Sequence, residues 1–404
     1  MSKVPVSMVL QGPRAGHLIS LKNLGGAERT FTNFFRMAAR ERDHHVLLQT
    51  PEIHPMLKPE YADFAGRVHD IKRYCGIKLP RQLPWLRDTC QARMLDDEEV
   101  QAIVVWNKLR NHPLHFPDHI SLIHYEHGSA WFVEPASDIT DYLSRLDGII
   151  CNSFAASRML QLSLGISESL PCRVVRNSIV LPQVTSDHPD ERFRFGFAGR
   201  LTGLKAPVIA IEALRELKAS VPHAELWIAG EGILEDALKS LVVKWGLEES
   251  VRFCGLLNDM SDFYSSLDAF VCPSWREPFG NVVQEALAHG VPAIVGNVDG
   301  LPEQISPGGN GEILSPSRPR ESLAIYGEEF IVGPDRVYSP EQDAIVVAKV
   351  LEPSEIAQVL KQWATSPHQR REMGAAARVI IAQDFCQQKY CQGIGDFIAE
   401  VVAG

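Results

Sequence analysis

The fold is decided by the stretch Phe193-Arg194-Phe195-Gly196-Phe197-Ala198-Gly199-Arg200-Leu201, a short apolar run that ends in a glycine and a cation. A helical pattern follows from Pro207 to Ala219, and proline suits the first helical position because its φ is already set. Strand, loop and helix then alternate, with strands predicted at Glu225–Ala229, Val251–Phe253, Ala269–Pro273 and Ala293–Gly296, and helices at Ile233–Trp245, Met260–Ser266 and Asn281–His289. Continuous apolar runs separated by helices predict a parallel sheet covered on both faces.

The same pattern occupies the preceding half of the chain. It predicts a helix at Ala27–Arg40 and strands at Val4–Leu10, Val46–Gln49, Ala102–Trp106, Ser121–Tyr125 and Gly148–Cys151. The two α/β regions meet around Ile179–Arg192, a polar stretch that we interpret as a hinge. We expect domains at 1–180 and 181–385, an insertion at 317–350 and a C-terminal helix at 386–404. Ligands of open parallel sheets bind outside the carboxyl ends of the strands, so the loops after strands should carry the function.

Composition narrows the class of protein. The 404 residues are 45% hydrophobic and 22% charged, with a net charge of −10, which is typical of a soluble enzyme and not of a nucleic-acid binder. No apolar run approaches the ~20 residues that a membrane-spanning helix needs. The eight cysteines form no CxxC pair and have no metal-like spacing with histidine, so we expect buried thiols in a reducing cytoplasm.

One segment is basic, although the chain as a whole has a negative net charge. Arg67 to Arg93 contains five further cations against only Asp70 and Asp88, and Trp85 and Leu86 lie within it. Two interpretations stay open: a solvated basic face, or a surface that contacts an anionic membrane or a phosphorylated acceptor.

The strongest local signal is Glu277-Pro278-Phe279-Gly280-Asn281-Val282-Val283-Gln284-Glu285, which follows a predicted strand and enters a helix. Both carboxylates can line one pocket if Glu277 lies in the loop and Glu285 about one turn into the helix. The backbone N–H groups of Phe279 to Val282 and the positive helix end would then hold an anion such as a diphosphate. Taken alone, a glutamate near a helix start also serves to compensate the helix dipole.

Two further loops carry weaker signals. Arg200 and Lys205 follow a predicted strand, where two cations suit a diphosphate leaving group, although surface cations in such a loop are also common. Gly25-Gly26 precedes the first predicted helix and would let the backbone approach a ligand. It is neither the GxGxxG nor the GxxxxGK[ST] motif.

Several motifs occur in one order: Gly25-Gly26-Ala27-Glu28-Arg29, Gly199-Arg200-Leu201 with Lys205, Ala229-Gly230-Glu231-Gly232, Pro273-Ser274, the Glu277/Glu285 pair and Gly290-Val291-Pro292. Together they resemble the family 4 retaining glycosyltransferases of the GT-B fold, over roughly residues 4–316 and 354–390. The resemblance implies two Rossmann-like domains facing each other across a cleft, with the final helix crossing back to the N-terminal domain.

The resemblance also implies roles for single residues. Arg200 and Lys205 would neutralise the donor diphosphate, Glu277 would bind hydroxyls of the transferred sugar, and Glu285 would bind the nucleotide ribose. His127, in Glu126-His127-Gly128, matches the family's cleft histidine next to the donor sugar. The remaining donor-binding positions implied are Gly25, Gly26, Gly230, Phe279, Gly280, Asn281 and Val282.

The implied reaction moves a hexose-type sugar with retention from a nucleotide-diphosphate sugar, most commonly a UDP-sugar, to a glycan, lipid-linked or small-molecule acceptor. The sequence contains no DxD motif that could hold Mg²⁺, so we expect no metal and no cofactor besides the donor substrate. The expected location is cytoplasmic, with Arg67–Arg93 available for peripheral contact with the inner face of the membrane.

Two alternative functions stay open. A nucleotide-sugar epimerase of the same fold would need additional acids and bases in the N-terminal half, and a non-catalytic partner subunit would be expected to have lost Glu277, Arg200 or Lys205. The chain also departs from the family in having Lys205-Ala206-Pro207 where Lys-Gly is frequent. The insertion at 317–350 is compatible with a lid, an oligomer contact or an acceptor gate.

Overall fold

The computed structural model describes residues 12–23, 25–80, 82–109, 116–133, 139–183 and 192–404. Contacts divide the chain into two units. The first comprises the described residues of Met1–Asn152, Gly165–Arg176 and Gln387–Gly404, and the second those of Ser153–Leu164 and Asn177–Cys386. Relative to the predicted division at residue 180, the second unit therefore also takes in the helical stretch 153–164.

The first unit is built on a parallel sheet. Its strands are β1 (Ala15–Ile19), β2 (His44–Leu48), β3 (Val68–Asp70), β4 (Arg73–Tyr74), β5 (Ile77–Lys78), β6 (Ala102–Trp106), β7 (Ser121–Glu126), β8 (Gly148–Cys151) and β9 (Cys172–Val174). Its helices before residue 153 are α1 (Gly26–Glu41), α2 (Pro84–Asp97) and α3 (Thr140–Ser144), with 3₁₀ turns at Lys58–Arg67 and Ala130–Phe132. The sheet order is β3-β2-β1-β6-β7-β8-β9, and β4 and β5 form a separate antiparallel pair.

The start of this unit differs from the sequence prediction. The strand predicted at Val4–Leu10 lies outside the described residues, and the strand that leads into the Gly25-Gly26 loop is β1. The pattern missed β1 because His17 interrupts its apolar run. His17 is nevertheless fully buried, since Trp106 Nε1 donates to its Nδ1 at 3.0 Å and its Nε2 lies 2.9 Å from His44 Nδ1.

The second unit has the strand order of a dinucleotide-binding fold. Its main strands are β10 (Arg194–Ala198), β11 (Glu225–Ala229), β12 (Val251–Gly255), β13 (Ala269–Cys272), β14 (Ala293–Gly296) and β15 (Gly311–Leu314). They lie in the order β12-β11-β10-β13-β14-β15, with every pair parallel. The order reverses between β10 and β13, and in such sheets that reversal opens the ligand-binding crevice at the carboxyl ends of the strands.

The helices of this unit include all four that the sequence pattern predicts between residues 207 and 289. They are α4 (Phe154–Leu164), α5 (Pro207–Leu217), α6 (Glu235–Lys244), α7 (Ser261–Ser265), α8 (Asn281–Ala288), α9 (Pro353–Ala364) and α10 (Pro367–Asp384), with 3₁₀ turns at Gly203–Lys205 and Leu301–Gln304. The α5 helix begins at the predicted proline, and nine of its side chains are buried. The core of the unit lies between these helices and the two faces of the sheet.

The insertion at 317–350 is a folded part of the second unit. It contains β16 (Arg318–Pro319), β17 (Arg336–Ser339), β18 (Ala344–Val347), β19 (Lys349–Val350) and 3₁₀ turns at Arg320–Tyr326 and Glu328–Ile331. Arg318 and Tyr326 both bond the Glu212 carboxylate of α5, at 2.8 and 2.5 Å, and Phe330 is fully buried. These contacts fix the insertion against α5.

The chain ends in α11 (Gln387–Ala403), which packs in the first unit. Tyr390, Ile394, Phe397 and Ile398 are buried there, and Tyr125 Oη of β7 donates to Tyr390 Oη at 3.0 Å. The helix thus returns to the first unit, as the resemblance implies. Over the part of the chain that the structure describes, none of the helices has both the length and the apolar character to cross a bilayer.

Candidate active site

The crevice of the second unit brings two of the predicted site residues into contact. Lys205 closes a short 3₁₀ turn after β10, and Glu277 lies in the loop after β13. Lys205 Nζ donates to Glu277 Oε2, and only 19% and 12% of the two side chains are exposed. Arg200, at the end of β10, is exposed to solvent. The crevice therefore holds one cation paired with a carboxylate and a second cation available to an anionic ligand.

A buried carboxylate that the sequence analysis missed holds the Glu277 loop in place. The Glu277 N–H donates to Asp299 Oδ2 at 2.9 Å, and the Tyr338 N–H donates to Asp299 Oδ1 at 2.9 Å. Asp299 is fully buried and has a φ of +48°. One side chain thus ties the insertion's β17 to the loop that carries Glu277. An acid in the loop after the predicted strand Ala293–Gly296 was the available signal.

The helix that follows Glu277 begins as predicted. Gly280 is its N-cap, with a φ of +91°, and α8 runs from Asn281. The first N–H groups of a helix have no partner within it, so those of Asn281 and Val282 suit an anion. The Phe279 side chain is buried in the core, with its ring centroid 6.1 Å from that of Phe385, so the donor contact predicted for Phe279 could come only from its backbone.

Glu285 lies in the second turn of α8 and is half-buried. Its Oε2 accepts a hydrogen bond from Tyr264 Oη at 2.8 Å. Burial raises the pKa of Tyr264 well above its ordinary value, so the phenol stays protonated and remains a donor. The Asn281 side chain is also engaged, since Asn177 Nδ2 donates to its Oδ1 at 2.8 Å.

Gly230 shapes the crevice through its backbone. Its φ is +122°, and a Cβ at this position would lie 2.0 Å from the Gly199 carbonyl oxygen. The loop after β11 therefore packs directly against the loop that carries Arg200. This contact explains why glycine is needed here, and the predicted donor contact of Gly230 stays a prediction.

In the first unit, His127 follows β7 in an aromatic environment. Its ring lies 5.3 Å from the Trp106 ring and 4.2 Å from the Tyr125 ring, between centroids. Burial lowers the pKa of His127 to about 3, so the imidazole is neutral near pH 7. Its Nε2 is buried and has no hydrogen-bond partner among the described residues. A buried, unpaired ring nitrogen is consistent with the ligand-contacting role that the resemblance implies.

The turn that carries His127 is held by Glu126, the residue directly before it in the sequence. Glu126 is fully buried; its carboxylate accepts from Ser129 Oγ and Gly128 N–H, and lies 3.0 Å from His124 Nε2. Burial opposes its ionisation, but these hydrogen bonds lower the pKa of Glu126 to about 2. A charged carboxylate therefore fixes the backbone that follows His127.

The glycine pair lies at the start of α1. Gly25 is the N-cap with extended backbone, and Gly26 is the first helical residue and is exposed. The β1 and β7 strands flank β6, so the glycine pair and His127 lie at the carboxyl edge of the same sheet. In each unit, the predicted residues thus follow strands at the edge where α/β sheets bind ligands.

Comparison with known proteins bears on this arrangement. Residues 183–332 match the family model described as Glycosyl transferases group 1. The matched segment lies within the second unit. The matched segment includes Arg200, Lys205, Gly230, Glu277 and Glu285.

Curated proteins align with part of the chain. An uncharacterized glycosyltransferase of Methanocaldococcus jannaschii is 38% identical over 130 residues, 32% of this chain and 33% of that protein. The lipopolysaccharide core biosynthesis glycosyltransferase LpsE of Rhizobium meliloti is 28% identical over 225 residues, 49% of this chain and 64% of that protein. The chain thus spans about a third to two thirds of the length of these relatives.

Solved structures extend the likeness of fold to nearly the whole chain. HepE of Anabaena, in complex with UDP and glucose, has a TM-score of 0.69 at 17% identity, covering 95% of this chain and 98% of that one. The lipopolysaccharide outer core galactosyltransferase WaaB has a TM-score of 0.67 at 15% identity, covering 96% and 99%. These are GT-B glycosyltransferases, and the expected GT-B fold with two Rossmann-like units is confirmed.

Proposed function

We propose that this protein transfers a hexose-type sugar from a nucleotide-diphosphate sugar, with retention at the anomeric carbon and without a metal ion. The observation that carries the proposal is the Lys205–Glu277 contact, beside Arg200 and the α8 N-terminus, at the strand-order reversal of a glycosyltransferase group 1 domain. This arrangement offers positive groups for a diphosphate and a carboxylate for sugar hydroxyls.

The chemistry follows from the charges at the crevice. The bond between the anomeric carbon and the diphosphate oxygen breaks, and a bond to the acceptor oxygen forms on the same face of the sugar. Negative charge develops on the leaving diphosphate, where Arg200, Lys205 and the helix N-terminus stabilise it. A phosphate oxygen of the leaving group takes the acceptor's proton, so no separate protein base is required.

Glu277 and Glu285 divide the recognition of the donor. Glu277 is held beside Lys205 and suits hydroxyls of the transferred sugar. Glu285 is oriented by Tyr264, and its second oxygen suits the hydroxyls of a ribose. We propose uridine as the base, supported by HepE, a similar structure solved with UDP and glucose.

Hydrolysis of UDP-sugars in EDTA, followed by proton NMR, tests this function. We expect slow release of a monosaccharide whose first-formed anomer keeps the donor's configuration. An inverted first product would overturn retention, and activity abolished by EDTA and restored by Mg²⁺ would overturn metal independence. Conversion of the nucleotide sugar without release of nucleotide would instead identify an epimerase.

We further propose a lipid-linked or glycan acceptor presented at an anionic membrane surface. In the Arg67–Arg93 segment, the side chains of Ile77 and Trp85 are 73% and 66% exposed. The side chains of Arg73, Lys78 and Arg93 are exposed in the same segment. Exposed apolar groups among cations are typical of surfaces that bind at the lipid interface.

Vesicle binding checks this second proposal. The full chain should sediment with vesicles that contain phosphatidylserine and not with neutral ones, and Trp85→Ser with Lys78→Glu should abolish that binding. Equal sedimentation of wild type with both kinds of vesicle, or unchanged binding by the variant, would contradict it.

A further inference from the structure

A second cluster of reactive side chains lies in the first unit, apart from the predicted donor site. His45 is near the start of β2, His69 is in β3, and Glu98 is the C-cap of α2. His45 Nδ1 lies 3.0 Å from His69 Nε2 and 3.8 Å from Glu98 Oε2, and His69 Nδ1 lies 3.9 Å from Glu98 Oε1. One ligand atom from each residue can be chosen so that all lie within 4.8 Å of one another.

The cluster has a supporting shell of the kind that orients metal ligands. The Asp43 Oδ1 atom lies 3.0 Å from His45 Nε2, and Arg14 Nε donates to Asp43 Oδ2 at 2.5 Å. Arg14 Nη1 also donates to the Glu98 carbonyl oxygen at 2.5 Å. Because a carboxylate only accepts, the His45 proton lies on Nε2, and the Nδ1 lone pair faces His69 and Glu98. Histidines that bind metals usually donate a hydrogen bond from their other ring N–H to a partner of this kind.

We propose that His45, His69 and Glu98 bind one divalent transition-metal ion, with zinc preferred and water completing the coordination. Two imidazoles and one carboxylate form a known zinc ligand set, whereas Mg²⁺ and Ca²⁺ prefer oxygen ligands alone. Zinc–ligand bonds of about 2.0–2.1 Å in tetrahedral geometry separate ligand atoms by roughly 3.4 Å. His45 Nδ1 lies 3.0 Å from His69 Nε2 and 3.8 Å from Glu98 Oε2, one separation on each side of that value.

The three side chains of the cluster differ in their exposure to solvent. His45 is buried, whereas 18% of the His69 side chain and 37% of the Glu98 side chain are exposed. A buried ligand with two more accessible ones gives both a fixed anchor and a route for the ion.

The ion would join three elements that are separate in sequence. It would link β2 and β3 to the end of α2, the helix that begins inside the basic Arg67–Arg93 segment. His45 lies near the amino end of β2, whereas Gly25 and His127 follow the carboxyl ends of their strands. The site is therefore a structural or regulatory clamp on α2, independent of the metal-free chemistry proposed for the donor site.

Zinc titration of the chelator-stripped full chain, with a competing fluorescent indicator, tests the site. We expect one tight zinc per chain, with binding at least about tenfold weaker in His69→Gln and in Glu98→Gln. Asp43→Asn should weaken binding by about 10–100-fold, because it removes the orienting partner of His45. His368→Gln is the matched control, since His368 pairs with Glu372 at 3.2 Å on the exposed surface of α10.

Cobalt gives an independent readout on the unaltered protein. Co²⁺ should bind with the intense visible absorption of a tetrahedral nitrogen and oxygen site, and zinc should displace it. Two results would overturn the proposal. One is a zinc affinity of the wild-type chain no higher than that of His69→Gln, and the other is a Co²⁺ spectrum as weak as that of the hydrated ion. Far-ultraviolet circular dichroism of the metal-free variants verifies that they are folded.

Discussion

Lys205→Ala is expected to lower the turnover of the nucleotide sugar by about 10²–10³-fold, the usual loss when one preorganised donor to developing charge is removed. Lys205 is largely buried against Glu277, so the substitution removes the cation and leaves the Glu277 carboxylate without that partner. A half-buried, unpaired carboxylate would also repel the donor diphosphate. Initial rates of donor hydrolysis in EDTA, at saturating nucleotide sugar, measure the effect.

Two further variants separate the role of charge from a loss of folding. Arg200→Ala should lose at least as much turnover while the protein stays folded, because Arg200 is exposed in the structure. Lys218→Ala is the matched control, since Lys218 donates to Ser250 Oγ at 2.7 Å away from the crevice, and it should keep normal rates. Near-normal turnover of both site variants would remove the proposed stabilisation of the leaving group.

Gly230→Ala is expected to destabilise the second unit by roughly 3–5 kcal/mol, the range of severe single substitutions. Two costs add: a φ of +122°, which L-residues rarely adopt, and a Cβ placed 2.0 Å from the Gly199 carbonyl oxygen. The neighbouring atom is backbone, so the overlap cannot be relieved by rotating a side chain. Urea unfolding of the full chain, monitored by tryptophan fluorescence, gives the change in free energy.

A second glycine distinguishes the two costs. Gly246 has a φ of +65°, and a Cβ there would meet nothing within 4 Å. Gly246→Ala should therefore cost only about 1–2 kcal/mol, the penalty of left-handed backbone alone. Equal losses for the two variants would show that the packing of the β10 and β11 loops contributes little.

The sequence predicted most of the sheet because buried strands of α/β units are continuous apolar runs. Ala102–Trp106, Gly148–Cys151, Glu225–Ala229 and Ala293–Gly296 are strands with the predicted bounds. The β1 strand was missed because His17 is a polar residue in the middle of its apolar run. The hydrogen bonds of His17 with Trp106 and His44, which stabilise the buried ring, cannot be read from the sequence.

Site residues were predictable where a motif marks them and not where packing defines them. The spacing of Glu277 and Glu285 placed one in a loop and the other in the second turn of α8, as the structure has them. Asp299 lies 22 residues from its partner Glu277 and 39 from Tyr338, so no local pattern could join them. The insertion likewise gave no periodic signal, because its short strands and 3₁₀ turns are held by distant partners such as Glu212.

The central claim is that the second unit binds a nucleotide-sugar donor through Glu285 and without a metal ion. The most direct test is whether nucleotides stabilise the chain against heat in the presence of EDTA. We expect one nucleoside diphosphate, UDP, to stabilise the chain by about 2.7 kcal/mol at a hundredfold excess over its Kd. Glu285→Ala should abolish the stabilisation, whereas Glu248→Ala, at an exposed position of the same unit, should keep it. Absence of stabilisation by any nucleotide, or equal stabilisation of Glu285→Ala, would contradict the donor site and favour a non-catalytic partner subunit.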